Sequence, residues 1–302
     1  MGSQINKIGF IGLGIMGKPM SLNLIKAGYK LIVYDVRPEP IHELILKGAE
    51  AGTSPKHVAE NSEIIITMLP NSPQVQEVVL GKDGILEGAK PGTLLIDMSS
   101  IAPLVSVELS KKAKEKGVEM IDAPVSGGEP KAIEGTLSIM VGGNQKSFEQ
   151  AEEIFKVLGS SAVLVGSIGS GNTTKLANQI IVALNIAAVS EAMVLAEKCG
   201  VDPEKVFNAI RGGLAGSTVL EAKMPMILNG NFKPGFRIEL HIKDLMNALG
   251  TAHDLAIPIP LTSLVMEFMQ SLKVDGKAGN DHSGLVQFYE KLAGVEVRKT
   301  KT

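Results

Sequence analysis

Short apolar runs alternate with amphipathic segments through the first half of the chain. KIGFIG at 7–12 and EIIITML at 63–69 are almost continuously apolar, which is typical of strands buried on both faces of a parallel sheet. Helix signals separate such runs, as in PLVSVELSKKAKEKG at 103–117, which ends in a glycine C-cap. This alternation predicts a doubly wound α/β unit. The predicted strands are 7–12, 30–35, 63–69, 93–99, 118–124, 137–143 and 161–166.

The strand pattern ends near Gly166, and the remaining segments have helical periodicity and helix caps. Asp202 followed by Pro203, for example, is a good N-cap and first-turn pair. We therefore predict an N-terminal unit over 1–166 and an all-helical unit over 167–302. A long helix from about Thr173 to Cys199 is expected to join them.

Residues 176–196 are apolar enough to resemble a membrane span. The segment also contains polar residues that are costly in hydrocarbon: Asn178, Gln179, Asn185 and Glu191. We interpret it as a core helix rather than a membrane helix. One small helical unit would not easily cover it, so a partner subunit is expected to cover part of it. The segment therefore predicts a homo-oligomer.

Composition and charge argue against several classes of function. The chain has 302 residues, and its net charge of −2 comes from interspersed acidic and basic residues, so no nucleic-acid footprint is visible. The N-terminus lacks a signal-peptide pattern, and Cys199 is the single cysteine, which favours a cytoplasmic protein without membrane contact. The five histidines lack ligand spacing, so no metal is expected.

Glycines crowd the end of the first predicted strand. Gly12, Gly14 and Gly17 form a GxGxxG motif that opens a predicted helix from Met16 to Ala27. Such a turn allows close approach of a pyrophosphate, which the helix N-terminus then attracts. The motif predicts a Rossmann-like dinucleotide-binding unit. Its predicted cofactor-binding residues are Gly12, Leu13, Gly14, Ile15, Met16 and Gly17, together with Asp35, in which the second predicted strand ends.

Asp35 favours NAD(H), because its carboxylate can accept a hydrogen bond from the ribose 2′-hydroxyl and would repel a 2′-phosphate. Arg37 leaves NADP(H) open, since an arginine there could pair with that phosphate. The alternative for Arg37, which we prefer, is an ordinary surface charge.

Two further stretches contain candidate substrate-binding and catalytic residues. Ser126-Gly127-Gly128 offers a hydroxyl and consecutive N–H groups to a small carboxylate, although a plain glycine-rich turn would look the same. Lys175 and Asn178 lie three apart, on one helical face. A lysine there could donate the proton in a carbonyl reduction, the alternative being a lysine that reaches solvent at a helix start.

These stretches, with HIKDLMNA at 241–248, resemble the β-hydroxyacid dehydrogenase family over essentially the whole chain. The resemblance implies that Lys175 is catalytic and that Asn178 orients the substrate beside it. It also implies that Ser126, Gly127 and Gly128 bind the substrate carboxylate. Gln179 departs from the second asparagine of many relatives, and we leave it out of the catalytic set. The remaining implied cofactor contacts are Leu69, Pro70, Ser100 and Lys243, although for Lys243 the residues alone favour the alternative of a surface ion pair with Asp244. The resemblance also implies a homodimer or homotetramer.

Within the family, MLPNSPQVQEVVLG and RGGLAGSTVLEAK most resemble the members that reduce tartronate semialdehyde (2-hydroxy-3-oxopropanoate) to glycerate. The resemblance thus implies a reversible, NADH-dependent reduction of that aldehyde. Oxidation of 3-hydroxyisobutyrate or another β-hydroxy acid is the alternative. An imine reductase of similar architecture would be expected to lack the lysine. A non-catalytic NAD(P)-binding module would have no use for Lys175 and Asn178.

Overall fold

The structure is a computed structural model that describes residues 7–299. The chain divides into two compact units, one ending at Lys175 and the other beginning at Leu176. Within the described range the first unit contains nine strands. They are β1 (Ile8–Ile11), β2 (Leu31–Tyr34), β3 (Glu50–Ala51), β4 (Ile64–Thr67), β5 (Leu94–Asp97), β6 (Glu119–Asp122), β7 (Val125–Ser126), β8 (Leu137–Gly142) and β9 (Gly159–Gly166).

Helices connect these strands, and after β9 the described chain contains helices without further strands. Those of the first unit are α1 (Gly17–Lys26), α2 (Pro38–Ile45), α3 (Pro55–Glu60), α4 (Ser72–Leu80), α5 (Ile85–Gly88), α6 (Pro103–Glu115), α7 (Gly128–Glu134) and α8 (Gln145–Leu158). The rest are α9 (Ser170–Lys198), α10 (Pro203–Ile210), α11 (Thr218–Leu228), α12 (Ile238–Asp254), α13 (Pro260–Val274), a 3-10 helix (His282–Leu285) and α14 (Val286–Ala293).

The strands of the first unit form one sheet in the order β3-β2-β1-β4-β5-β6-β8-β7, and β9 pairs with β8. From β3 to β6 every pairing is parallel. Strand β8 runs antiparallel to β6 and β7, and β9 runs parallel to β8. The two-residue strands β3 and β7 escaped the sequence prediction because neither has an apolar run.

Both faces of the central strands are buried, as the continuous apolar runs predicted. Ile64 and Ile66 lie in the core on one face of the sheet, and Ile65 lies in the core on the other. Each face is covered by helices, so the strands gain burial from both sides. The predicted doubly wound α/β unit, followed by an all-helical region, is confirmed.

The second unit packs its helices around two apolar clusters. One centres on Ile186, Leu245 and Met269, and the other on Met193 and Met224. Asp202 caps α10 as predicted, since its side chain accepts a hydrogen bond from the Glu204 N–H. Among the described residues, α9 alone is long and apolar enough to cross a membrane, and its buried polar residues, such as Gln179 and Ser190, favour a core helix.

Candidate cofactor and substrate sites

The three glycines of the first turn have different surroundings. Gly12 has a φ of +97°, and a Cβ there would overlap the Met68 carbonyl oxygen. A Cβ on Gly17 would overlap the Gly12 carbonyl oxygen, whereas one on Gly14 would meet nothing within 4 Å. Gly12 and Gly17 therefore shape the turn, and Gly14 leaves open space beside the backbone at the start of α1. That open space fits the close approach of a cofactor pyrophosphate.

The residues between these glycines differ in burial. The Leu13 side chain is 2% exposed and belongs to the core, so only its main chain can face a cofactor. Gly14 and Met16 are half-buried and Ile15 is exposed at the N-terminal end of α1. The predicted helix start at Met16 is a cap position, and the helix itself begins at Gly17.

Asp35 lies just after β2 and tethers the glycine turn. Its Oδ2 accepts a hydrogen bond of 2.7 Å from the Leu13 N–H. Its Oδ1 accepts one of 2.9 Å from the Arg37 N–H, and the Arg37 Nε lies 3.3 Å from the same oxygen. The carboxylate thus lies next to the turn, where the ribose of a bound dinucleotide is expected. The Arg37 side chain remains 59% exposed.

Leu69, Pro70 and Ser100 follow the carboxyl ends of β4 and β5, the edge at which doubly wound sheets bind ligands. The Leu69 N–H donates to the Ser99 hydroxyl over 2.9 Å, which links the two loops. Leu69 also borders the glycine turn, because a Cβ on Gly12 would lie 2.9 Å from its Cδ2. Ser100 is half-buried, whereas its neighbour Ser99 is fully buried.

The Ser126–Gly128 segment lies where β7 ends and α7 begins. Gly127 and Gly128 have φ values of +138° and +69°, which favour glycine. Ser126 and Gly128 are half-buried and Gly127 is exposed, so the segment is accessible to a ligand. The positive φ values show that the glycines are required by the turn itself, in addition to any binding role.

The first turn of α9 is held by Asp122 at the end of β6. Its Oδ1 accepts from the Gly169 N–H over 2.7 Å, and its Oδ2 accepts from the Asn172 N–H over 2.6 Å. Side chains at Gly142 and Gly171 would occupy the space around this carboxylate. Burial raises the pKa of Asp122 to about 6, although the N–H groups oppose the rise. Lys175, 6% exposed, lies one turn beyond this anchored start.

The Asn172 side chain holds the same turn from another direction. Its Oδ1 accepts from the Ile101 N–H over 3.0 Å, and its Nδ2 donates to the Ser106 hydroxyl over 3.1 Å. The start of the lysine-bearing helix is therefore fixed to the end of β6, to the loop after β5 and to helix α6. Sequence reasoning did not select Asp122 or Asn172, because a cap between residues fifty apart leaves no local pattern.

The second unit carries Asn178 and Lys243, and two residues that the sequence analysis did not choose connect them. Asn178 Nδ2 donates to Gln179 Oε1 over 2.9 Å, and Gln179 Nε2 donates to Asp244 Oδ2 over 2.5 Å. Lys243 Nζ lies 2.8 Å from Asp244 Oδ1, as an ion pair rather than an aligned hydrogen bond. The Asp244 side chain is 2% exposed. The alternative of a surface ion pair for Lys243 and Asp244 is therefore wrong.

Two family models match the chain. The NAD-binding domain of 6-phosphogluconate dehydrogenase matches residues 7–166. The NAD-binding domain of NADP-dependent 3-hydroxyisobutyrate dehydrogenase matches residues 169–289. Together they span both parts of the architecture described above, and the first alone covers more than half of the chain.

Curated and solved proteins resemble the chain over nearly its full length. The 2-hydroxy-3-oxopropionate reductase of Escherichia coli (strain K12) is 46% identical, covering 95% of this chain and 98% of the relative. The 2-(hydroxymethyl)glutarate dehydrogenase of Eubacterium barkeri is 38% identical, covering 96% and 97%. The solved 3-hydroxyisobutyrate dehydrogenase of Mycobacterium tuberculosis, with L-serine, has a TM-score of 0.89 at 30% identity, covering 95% and 99%. The chain belongs to the β-hydroxyacid dehydrogenase family, NAD(P)-binding oxidoreductases that act on CH–OH groups.

Proposed function

We propose that the chain catalyses the reversible, NADH-dependent reduction of tartronate semialdehyde to glycerate. The 46% identity to the E. coli 2-hydroxy-3-oxopropionate reductase supports this substrate. The structural observation that carries the proposal is the placement of Lys175, a buried lysine on a helix whose first turn is anchored on both sides. A buried lysine without such a role would be unusual in a core helix.

The placement of Lys175 suggests a role for each reacting group. NADH supplies a hydride to the aldehyde carbon when it is bound. Lys175 donates a proton to the aldehyde oxygen, and in the oxidative direction it accepts the proton from the hydroxyl. Its ammonium also stabilises the negative charge that develops on that oxygen. Asn178, one turn along the same helix, holds the lysine in line with the oxygen.

The other predicted residues would bind the cofactor or orient the substrate. The Gly12–Gly17 turn would hold the cofactor pyrophosphate, and Asp35 would accept from the adenosine ribose. Ser126, Gly127 and Gly128 would hold the substrate carboxylate, so that a 3-oxo acid presents its aldehyde carbon rather than its acid group. Leu69, Pro70, Ser100 and Lys243 complete the proposed cofactor contacts.

A second candidate is oxidation of 3-hydroxyisobutyrate. The TM-score of 0.89 to the 3-hydroxyisobutyrate dehydrogenase of M. tuberculosis favours this candidate. The two substrates share a carboxylate and a reacting carbon two atoms away, so the same lysine and carboxylate loop would serve both. They differ at the middle carbon, which carries a hydroxyl in one and a methyl group in the other.

The test compares NADH oxidation with tartronate semialdehyde and with methylmalonate semialdehyde, for the wild type and for Lys175→Met. We expect kcat/KM to favour tartronate semialdehyde, and the variant to lose about 10²–10⁴-fold in kcat while it still binds NADH. Lys56→Met, at a lysine paired on the surface of α3, is the matched control and should leave kcat unchanged. A preference for methylmalonate semialdehyde would favour the second candidate, and an unaffected Lys175→Met would refute the lysine mechanism.

A further inference from the structure

Strand β9 lies at an edge of the sheet in the first unit. Within the described range β8 is the only strand that pairs with it, so the N–H and C=O groups along its other edge have no strand partner. Ala162 and Leu164 pack against the apolar core that α8 covers. Val163 and Val165 point to the opposite face of the strand and are 55% and 39% exposed. Both this face and the outer edge of β9 are therefore open.

The composition of β9 does not protect its edge. Edge strands of monomeric proteins usually carry charged side chains, prolines or bulges, because an open edge pairs readily with another chain. Residues 157–174 contain no charged side chain and no proline. Relative to β8, the strand has one extra residue near each end, Ser160 and Val165, and it is regular between them. The middle of β9 is thus a short, uncharged strand edge that can accept a partner strand.

A second copy of β9 fits this edge by symmetry. In an antiparallel pair about a two-fold axis, facing residues of the two identical strands point to the same face of the sheet. With the axis at Val163, that residue faces its own counterpart, and Ala162 faces Leu164. Both pairs are apolar. A two-fold contact brings each charge near its own copy, and like charges directly opposite are destabilising, so the uncharged run 157–174 suits this partner.

We propose that β9 pairs antiparallel with β9 of a second copy, which joins the two nine-stranded sheets into one. The strand has eight residues, whereas a specific interface uses about 20–30 residues a side. The strand pair therefore holds together copies that another contact already joins, at the high effective concentration that such a contact provides. Residues 176–196 of α9, which a partner subunit is expected to cover, are the candidate for that contact. Two contacts about different two-fold axes close into a tetramer.

Opposite charges at Val163 test this geometry. Val163→Lys would place two ammonium groups opposite each other, and Val163→Glu would place two carboxylates there. By light scattering coupled to size exclusion, each variant alone should have half the mass of the wild type. An equimolar mixture of the two variants should recover the wild-type mass, because a lysine then faces a glutamate. Leu46→Lys, at an 85% exposed position after α2, is the matched control and should keep the wild-type mass.

A cross-link tests the register of the strand pair directly. Facing Cα atoms in an antiparallel pair lie about 4.5–5.5 Å apart, a distance that a disulfide can span. Cys199→Ser first removes the single cysteine of the chain. In that background, Val163→Cys should form a covalent dimer on mild oxidation, and Leu46→Cys should not. Thermal unfolding of each variant checks that the substitution at this exposed position leaves the chain folded.

The outcomes separate strand pairing from other effects of the substitutions. A wild type that is monomeric at every concentration, or wild-type mass in either charged variant alone, would overturn the proposal. A mixture that fails to recover the wild-type mass would also overturn it, because the loss would then not come from charges that face each other. Absence of a covalent dimer in Val163→Cys would exclude the register centred on Val163. Recovery in the mixture together with the covalent dimer would support pairing with a second copy rather than with a different protein.

Discussion

At the scale of single residues, the glycine turn shows that one motif contains glycines required for different reasons. Gly12 needs a positive φ and close approach to Met68, and Gly17 needs close approach to the Gly12 carbonyl. Close approach does not require a glycine at position 14, because space is open where the Cβ of Gly14 would lie. Two of the glycines therefore serve folding, and the third serves access to the backbone.

Alanine at each glycine should separate these roles. Gly12→Ala and Gly17→Ala should each lose about 2–4 kcal/mol of unfolding free energy, because a new Cβ would overlap backbone oxygen. Gly14→Ala should change stability by less than about 1 kcal/mol but weaken NADH binding about tenfold or more. Denaturant unfolding and fluorescence titration with NADH measure the two effects. Equal destabilisation of all three variants would contradict this assignment.

Asp35 gives a second prediction at the residue scale, on cofactor choice. Asp35→Asn keeps the oxygen that accepts from Leu13 but removes the charge that would repel a 2′-phosphate. We expect the ratio of kcat/KM for NADPH to that for NADH to rise about tenfold or more. Arg37→Gln should lower the same ratio, since it removes the cation next to Asp35. An unchanged ratio in Asp35→Asn would show that another residue sets the preference.

At the scale of elements, neighbouring strands place two buried carboxylates side by side. Asp97 of β5 and Asp122 of β6 are partners in the parallel register. Burial raises the pKa of Asp97 to about 6, and the charge of Asp122 adds to the rise, while hydrogen bonds from Ser99 and Thr67 oppose it. Asp97 Oδ2 is buried without a hydrogen-bond partner among the described residues. The ionised form of Asp97 therefore destabilises the fold.

This arrangement makes stability depend on pH. Because the pKa of Asp97 is higher in the folded state, its contribution is fully present below about pH 3.8 and is lost as the pH rises through about 6. Asp97→Asn removes that dependence. From pH 4 to pH 7.5, its unfolding free energy should gain about 2–3 kcal/mol relative to the wild type. Denaturant unfolding across this range measures the change, and Asp254→Asn, at an exposed aspartate, should follow the wild type.

The elements show which parts of the fold the sequence could predict. The runs at 7–12 and 63–69 identified buried strands because every position is apolar when both faces are covered. The antiparallel direction of β8 could not be predicted in this way, because the apolar pattern is the same in either direction. Strand β7 and helix α7 separate β6 from β8, and the positive φ values of Gly127 and Gly128 where β7 gives way to α7 are a property of the folded backbone.

The candidate site, like the fold, could be predicted only in part. Lys175 and Asn178 stood out because polar residues on an apolar helix need a reason. Gln179 stood out for the same reason but was left out of the catalytic set. Its pairing with Asp244 could not be predicted, since the two residues lie 65 positions apart and only the packing of α9 with α12 brings them together. The same holds for Asp122, which caps α9 from the end of β6. Long-range pairs of this kind leave no periodic signal in either segment.

At the scale of the whole molecule, α9 presents an apolar stripe to solvent. Ala177, Ile181, Ala188, Ala192 and Leu195 are all exposed, and their spacing of three, four or seven residues places them on one helical face. Ile181 is 61% exposed and Leu195 is 65% exposed. A mixture of small and large apolar side chains along one face suits close packing against another helix. This stripe supports the expectation of a homodimer or homotetramer, with α9 covered by a second copy of the chain.

A charge on the stripe should reveal the interface. Ile181→Lys and Leu195→Lys would each bury an unpaired ammonium if a partner helix lies there, and such a cost exceeds what most contacts contribute. We expect light scattering coupled to size exclusion to give a smaller assembly for each variant than for the wild type, with dissociation increasing on dilution. Val274→Lys, at the end of α13 and 88% exposed, adds the same charge outside the stripe and should keep the wild-type mass. If all three variants keep the wild-type mass, the stripe is not the contact, because an ammonium at the centre of a packed helix pair would not be tolerated.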